Sequence, residues 1–294
     1  MDNFSLRQLR YFAALARHGH FGRAAEASAI SQPALSVQIR DLEAAIGQVL
    51  FERGARQVRL TRFGEEFAGR VKDILRSVDE LSEMARVART GLSGSLRLGV
   101  IPTIAPYLLP RVIGRLNDAY ADLDLHVRES ITPRLLDELG EGRLDAAIVA
   151  LPVSEPSLLE VPLFEESLLL VRPEAERDAP VPSPEALHEM RLLLLEEGHC
   201  FRDQALSFCH LGQGRGREGL DGSSLSTLVQ MVGAGLGVTL IPEMAVPVET
   251  RSANVSLARF DDPQPGRTIG MVWRKSSPLS EDLLRLSEVV GAAA

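Results

Sequence analysis

Between Glu65 and Thr90 the chain contains no proline and no glycine beyond Gly69, and this unbroken run constrains everything on either side of it. Phe67, Val71, Ile74, Val78, Leu81, Ala85 and Ala88 recur at alternating spacings of four and three, the seam of a helix that packs along another helix. Burial against its own chain is the alternative use for such a stripe. Glycine returns at Gly91 and Gly94 and marks a hinge. The expected organisation is therefore a domain over residues 1–64, a dimerising linker helix over 65–90, and a larger domain over 91–294.

The head is basic although the whole chain carries a net charge of −8. Residues 1–64 hold nine arginines against five acidic residues, so the body that follows is acidic. Such asymmetry suits a head that meets phosphate. Ser5–Arg17 and Phe21–Ala29 read as helices broken at Gly19. Ser31 then caps a third helix with Pro33 in its first turn. This helix buries Leu35, Ile39, Leu42 and Ile46 and turns Pro33, Ser36, Val37 and Arg40 outward, with Gln32 at its exposed end. Those side chains can meet base edges, a thymine methyl or phosphate in a major groove. Val49–Arg62 reads as a hairpin wing edged by Arg53, Arg56 and Arg59 and ending at Thr61. This reads as a winged helix-turn-helix, and its expected contacts with double-stranded DNA are Ser31, Gln32, Pro33, Ser36, Val37, Arg40, Arg53, Arg56 and Thr61.

Beyond the hinge the pattern alternates: strand Ser95–Val100, helix Ile104–Ala119, strand Asp124–Glu129, helix Pro133–Glu141, strand Ala146–Ala150. This is a βαβαβ unit with a parallel sheet, whose ligand sites lie at the carboxyl ends of its strands. Thr103 and Thr132 fall at that edge, as ligand groups or as simple helix caps. A second unit begins near Leu168, includes strand Arg191–Leu195, and the chain recrosses at Thr268–Arg274. The expected organisation of this part is an α/β domain of two subdomains, with subdomain I over about 95–167 and 268–294 and subdomain II over about 168–267.

The chain has two cysteines, Cys200 and Cys209. They form no disulfide framework and no zinc-ligand spacing, and no metal or cofactor is expected. An ordinary thiol is only about 3% thiolate at pH 7, so its neighbours decide its reactivity. Cys200 lies beside His199 and Arg202, side chains that can favour a thiolate; Cys209 has no such company. If Phe201–Cys209 is helical, the two Cα atoms stand about 13 Å apart, too far for a disulfide. Read from the residues alone, the pair is either two buried small hydrophobes or a reactive couple whose oxidation would unwind a helix. No apolar run approaches the ~20 residues of a membrane helix, and Met1–Arg10 lacks the layout of a secretion signal, so a cytoplasmic location away from any membrane is expected. No phosphate loop or Ser-His-Asp constellation supports an enzyme.

Ser31-Gln32-Pro33-Ala34-Leu35-Ser36, set within Phe21–Gly47, together with Leu50-Phe51-Glu52-Arg53, resembles the LysR-type transcriptional regulators. The resemblance covers essentially the whole chain and implies promoter DNA as the partner of the head and a periplasmic-binding-protein-like regulatory domain over 91–294. Two further stretches, Leu98 to Pro110 (Leu-Gly-Val-Ile-Pro-Thr-Ile-Ala-Pro-Tyr-Leu-Leu-Pro) and Glu197-Gly198-His199-Cys200 continuing to Cys209, are similar to the hydrogen-peroxide sensors of that family. The resemblance implies that Cys200 is the peroxidatic thiol, which becomes a sulfenic acid, and that Cys209 resolves it as a disulfide. It also places Thr103, Thr132, His199 and Arg202 around the peroxide. A DNA-bound dimer of dimers that contacts RNA polymerase and activates antioxidant genes follows from the same likeness. The chain departs from the family's pattern at Gly219-Leu220-Asp221-Gly222. Two rival functions are a regulator of the same family that responds to a small organic ligand with inert cysteines, and a thiol peroxidase, in which the basic head would have no purpose.

Overall fold

The computed structural model describes residues 4–53, 58–90, 94–184, 186–188, 190–209 and 221–293. It divides into two compact units, Met1–Ala85 and Arg86–Ala294. In the first, Ser5 opens α1 (Leu6–His18) through a capping box with Gln8, and Gly19 closes it in the left-handed conformation at φ 59°. His20 caps α2 (Phe21–Ala27) by accepting the Gly22 N–H on Nδ1 at 3.0 Å. Ser31 caps α3 (Gln32–Ile46) as its spacing predicts. Leu9, Phe12 and Leu15 of α1 meet Ala24, Ala25, Leu35, Ile39 and Leu42 in one core.

The wing is β1 (Phe51–Arg53) paired antiparallel with β2 (Val58–Leu60). It is sewn to the long helix α4 (Arg62–Thr90) by Thr61, whose hydroxyl donates to Val49 O at 2.8 Å and accepts the Gly64 N–H at 2.9 Å. That cap is why the helix starts ahead of the expected Glu65. Val71 is buried and Phe67 packs on the same core, its ring 5.1 Å from Phe12. The first turns of the seam are thus used inside the unit, while Ile74 and Leu81 remain 43% and 63% exposed. The side chains of Ala85 and Ala88, and the hinge residue Gly91, lie outside the described residues.

The second unit begins with β3 (Gly94–Val100), α5 (Ala105–Ala119), β4 (Leu123–Glu129), α6 (Thr132–Gly140) and β5 (Ala146–Leu151). Strand β3 pairs in parallel with β4 and β5, the topology that alternating apolar runs dictate. Buried Asp145 accepts the Arg97 backbone N–H and both arms of its guanidinium, pinning β5 to β3. Then comes β6 (Leu158–Pro173), a strand of 16 residues. It runs unbroken through the junction expected at 167–168, giving Leu158 to one core and Leu168, Leu170 and Val171 to another.

The remaining elements are β7 (Leu194–Leu195), α7 (Cys200–Phe208), β8 (Asp221–Gly222), α8 (Leu225–Gly233), β9 (Thr239–Pro242), α9 (Val246–Glu249), β10 (Val255–Ala258), β11 (Gly266–Arg274) and α10 (Ser280–Gly291). The main sheet has the order β10-β6-β11-β5-β3-β4, with β9 also on β6. The strand expected over Arg191–Leu195 shrinks to β7, paired in parallel with β8, plus a single bridge from Leu192 to Val238. Tyr107 of α5 reaches into the second core, where Glu249 accepts its hydroxyl at 2.6 Å and that of Ser226 at 2.6 Å.

Strand β11 crosses β6 with a register shift at Ile269/Gly270. A Cβ at Gly270 would stand 2.3 Å from Leu151 Cδ1 and 2.9 Å from Val161 O. Gly270→Ala is expected to destabilise the second unit by about 1–3 kcal/mol, the cost of overpacking a filled core. Denaturant titration followed by the fluorescence of Trp273, the only tryptophan, measures it.

Candidate functional site

The two thiols sit at opposite ends of α7. Cys200 is its first residue and Cys209 its C-cap, the Cys209 N–H bonding to Ala205 O at 3.1 Å. Neither is in a disulfide. Nine rises of helix separate the Cα atoms by about 13 Å, whereas a disulfide needs about 4.4–6.8 Å. Their surroundings differ as well: Cys209 is wholly buried in the second core, while Cys200 is partly buried against the first. Burial pushes the Cys209 thiol up to about 11, so it stays protonated at neutral pH.

The entrance to α7 is set by backbone geometry. Gly198 has φ +92°, and a Cβ there would lie 2.8 Å from Ile131 Cδ1, so glycine alone fits the turn against the start of α6. His199 is the N-cap residue and makes no side-chain capping bond, which leaves the first amides of the helix pointing toward the Cys200 end, where an anion is favoured. The two cations expected beside Cys200 take other roles. Arg202 directs Nη1 to Leu195 O at 2.7 Å and to Asp221 Oδ1 at 2.9 Å, clasping β7 and β8. Burial pushes His199 below its ordinary value, so it is neutral at pH 7. Sequence proximity could not reveal either outcome, because it does not say which way a side chain turns. Asp221 and Gly222, where the chain departs from the family's pattern, form β8, and a Cβ at Gly222 would meet Leu228 Cδ2 at 2.7 Å.

The two expected threonines are reached from the start of α7 through intermediates: Ile131, which packs against Gly198, precedes Thr132, and Arg267, which lies over Phe201, holds Thr103. Thr132 is the first residue of α6, next to Ile131, and its hydroxyl oxygen is buried without a hydrogen-bond partner among the described residues. Thr103 is buried in the turn between β3 and α5. It is held by Arg267, whose Nη1 donates to Thr103 Oγ1 at 2.8 Å and Nη2 to Thr103 O at 3.1 Å. The same guanidinium lies 5.4 Å from the centre of the Phe201 ring and pairs with Glu166 Oε2 at 2.8 Å. Sequence reasoning missed Arg267 and Glu166. They stand far from the cysteines in the chain, just ahead of the segments near Leu168 and at Thr268–Arg274 that read as the second unit and the recrossing strand. Gln204, one turn beyond Cys200, has a buried oxygen without a partner among the described residues and lines a cleft of about 510 Å³ with Glu166, Gln264 and Arg267.

In the first unit, α3 buries Leu35, Ile39 and Leu42 and exposes Ser31, Gln32, Pro33, Val37 and Arg40, with Ser36 half-buried. The hydroxyl of Ser31 accepts the Ala34 N–H at 3.3 Å and that of Thr61 ties the wing to α4, so both act within the protein. Arg56 and the side chain of Arg53 lie outside the described residues. Among the described residues there is no cluster of three or more His, Cys, Asp or Glu fit for a metal, and no helix is long and apolar enough to cross a membrane.

Residues 6–65 match the model of the bacterial regulatory helix-turn-helix protein, lysR family, and residues 89–294 that of the LysR substrate binding domain. A probable hydrogen peroxide-inducible genes activator of Streptomyces viridosporus is 45% identical over 98% of this chain and 94% of its own. The DNA-binding transcriptional dual regulator OxyR of Escherichia coli is 41% identical over 98% of this chain and 95% of its own. Full-length OxyR from Pseudomonas aeruginosa superposes with a TM-score of 0.75 at 36% identity, covering 98% and 95% of the two chains. An OxyR mutant of Corynebacterium glutamicum with hydrogen peroxide bound gives 0.66 at 35%, covering 99% and 92%. Matched along both units by sequence and by fold, the chain belongs to the LysR family of bacterial helix-turn-helix transcriptional regulators, in the company of OxyR.

Proposed function

We propose that this regulator senses hydrogen peroxide through Cys200 and Cys209 and activates transcription of antioxidant genes. The observation that carries the reading is the placement of two thiols, neither in a disulfide, at the two ends of one short helix, each against a different core. Cys200 attacks peroxide and becomes a sulfenic acid, which condenses with Cys209. Thr103 and Thr132 offer hydroxyls to the peroxide, His199 lines the entrance, and Arg202 holds the helix in place. Cys209 cannot reach Cys200 while α7 is intact, so the disulfide requires the helix to unwind and Cys209 to leave its core. Closing a ring of ten residues is worth roughly 3 kcal/mol in the chain-entropy model, enough to shift a two-state equilibrium about a hundredfold.

The output is a change in DNA-bound oligomer. Exposed Ile74 and Leu81 form the part of the α4 stripe left for a second copy, and two such dimers joined through regulatory units would span successive half-sites about 34 Å apart. Gln32, Pro33, Ser36, Val37 and Arg40 read bases, with Arg53, Arg56 and the wing on the backbone and Ser31 and Thr61 fixing the elements that carry them. Remodelling the regulatory unit alters half-site spacing and contact with RNA polymerase. The protein acts as a sensor, not as a catalyst of peroxide removal.

Peptide mapping after alkylation is expected to show a Cys200–Cys209 crosslink at micromolar peroxide, and Cys200→Ser is expected to abolish peroxide-dependent promoter activation; persistence of activation in that variant would exclude the scheme. The buried state of Cys209 gives a pH signature. Its pKa is raised on folding, so its contribution to the stability of the reduced protein is complete below about pH 9, the ordinary thiol value, and is lost as pH climbs toward about 11. Cys209→Ala should flatten that part of the stability profile in thermal melts compared with the parent. In binding assays at fixed salt, Gln32→Ala is expected to cost about 1–3 kcal/mol of discrimination between the correct and a wrong base.

A further inference from the structure

Resting on the peroxide reading, we propose that Glu166 is a positioning residue for the oxidation of Cys200, acting through Arg267 to fix the Thr103 hydroxyl as a hydrogen-bond donor toward peroxide. The chemistry of the partners requires this polarity. Arginine has only donors, and a threonine hydroxyl has one proton and two lone pairs. With Arg267 Nη1 donating into Thr103 Oγ1 at 2.8 Å, the oxygen is an acceptor on that side, and its proton must point elsewhere. Among the described residues the Thr103 hydroxyl has no acceptor for that proton, and Thr103 is buried.

Arg267 holds this pose because Glu166 anchors the far edge of the guanidinium. Nε donates to Glu166 Oε2 at 2.8 Å, in a pair whose side chains are 0% and 4% exposed. Glu166 is in turn oriented by the Met244 N–H, which donates to its other oxygen at 3.0 Å. One face of the guanidinium lies over Phe201, the residue after Cys200. The network therefore joins the Thr103 turn to the start of α7 through two nearly fully buried charged groups, a setting in which a fixed donor has a large effect.

The step it serves balances as follows. The thiolate sulfur of Cys200 forms a bond to the nearer peroxide oxygen as the O–O bond breaks. The bonding pair leaves on the farther oxygen as hydroxide, which the Thr103 O–H steadies and which the proton released by the thiol converts to water. Sulfur is oxidised to the sulfenic level and peroxide is reduced to water.

The test compares two reactions of Cys200 in the full-length protein carrying Cys209→Ser: oxidation by hydrogen peroxide, followed by stopped flow, and alkylation by iodoacetamide, which needs the thiolate but no O–O cleavage. Glu166→Gln is expected to slow oxidation by about 10- to 100-fold and to leave alkylation within about twofold. The double variant with Thr103→Val should oxidise no more slowly than Thr103→Val alone, since the residues act as one unit. If Glu166→Gln does not fold, Thr103→Val and Thr103→Ser carry the test: the first must lose oxidation alone and the second must retain it. Unchanged oxidation in Glu166→Gln, a parallel fall in both reactions, or additive losses in the double variant would overturn the proposal. Failure of the parent protein itself to react with peroxide would instead sink the peroxide reading on which it rests.

Discussion

Glu166 and Arg267 face one another across the antiparallel pairing of β6 with β11, and much of the second unit depends on their meeting. A charge this deeply buried is tolerable only when paired and hydrogen-bonded, and removing one member of such a pair costs about 3–5 kcal/mol. They are direct partners in the register; a slip of β11 by one residue would turn Arg267 to the opposite face of the sheet. Because β6 feeds both cores, the pair stands where the two halves share a backbone. From there its hydrogen bonds reach the Thr103 turn, the Met244 amide and the face of Phe201.

Helix α7 is held by these surroundings more than by its own strength. It has nine residues, short of the ~12–15 at which an isolated helix becomes even marginally stable in water. Phe201, Ala205, Leu206 and Cys209 anchor it in the second core, and the Arg202–Asp221 pair ties its first turn to β8. An element so dependent on packing can exchange one arrangement for another at a cost of a few kcal/mol, the scale on which closing a short covalent ring acts.

The first unit was legible in the sequence almost residue by residue. Its caps are local: Ser31 bonds to Ala34 three residues on, and the apolar stripe of α3 follows from helical period alone. The seam of α4 was legible as a stripe but not in its use, since Phe67 and Val71 turn into the unit's own core while Ile74 and Leu81 do not. The βαβαβ order was likewise readable from alternating runs. The second unit was read as starting near Leu168, whereas β6 pairs with β11 from ten residues earlier, at Leu158.

By itself the sequence determined the order of elements, the basic head, and the two cysteines at a spacing that forbids a bond within an intact helix. These are properties of neighbours along the chain, fixed by period, charge and rise per residue. Only the tertiary structure decided what each side chain near the cysteines touches. Arg202 turned to Asp221, burial lowered the pKa of His199, and Arg267, distant in the chain, came to hold Thr103 and to lie over Phe201. The reason is physical: hydrogen bonds and desolvation depend on distances in space, and those are set by sheet register and strand crossing, which local sequence does not record.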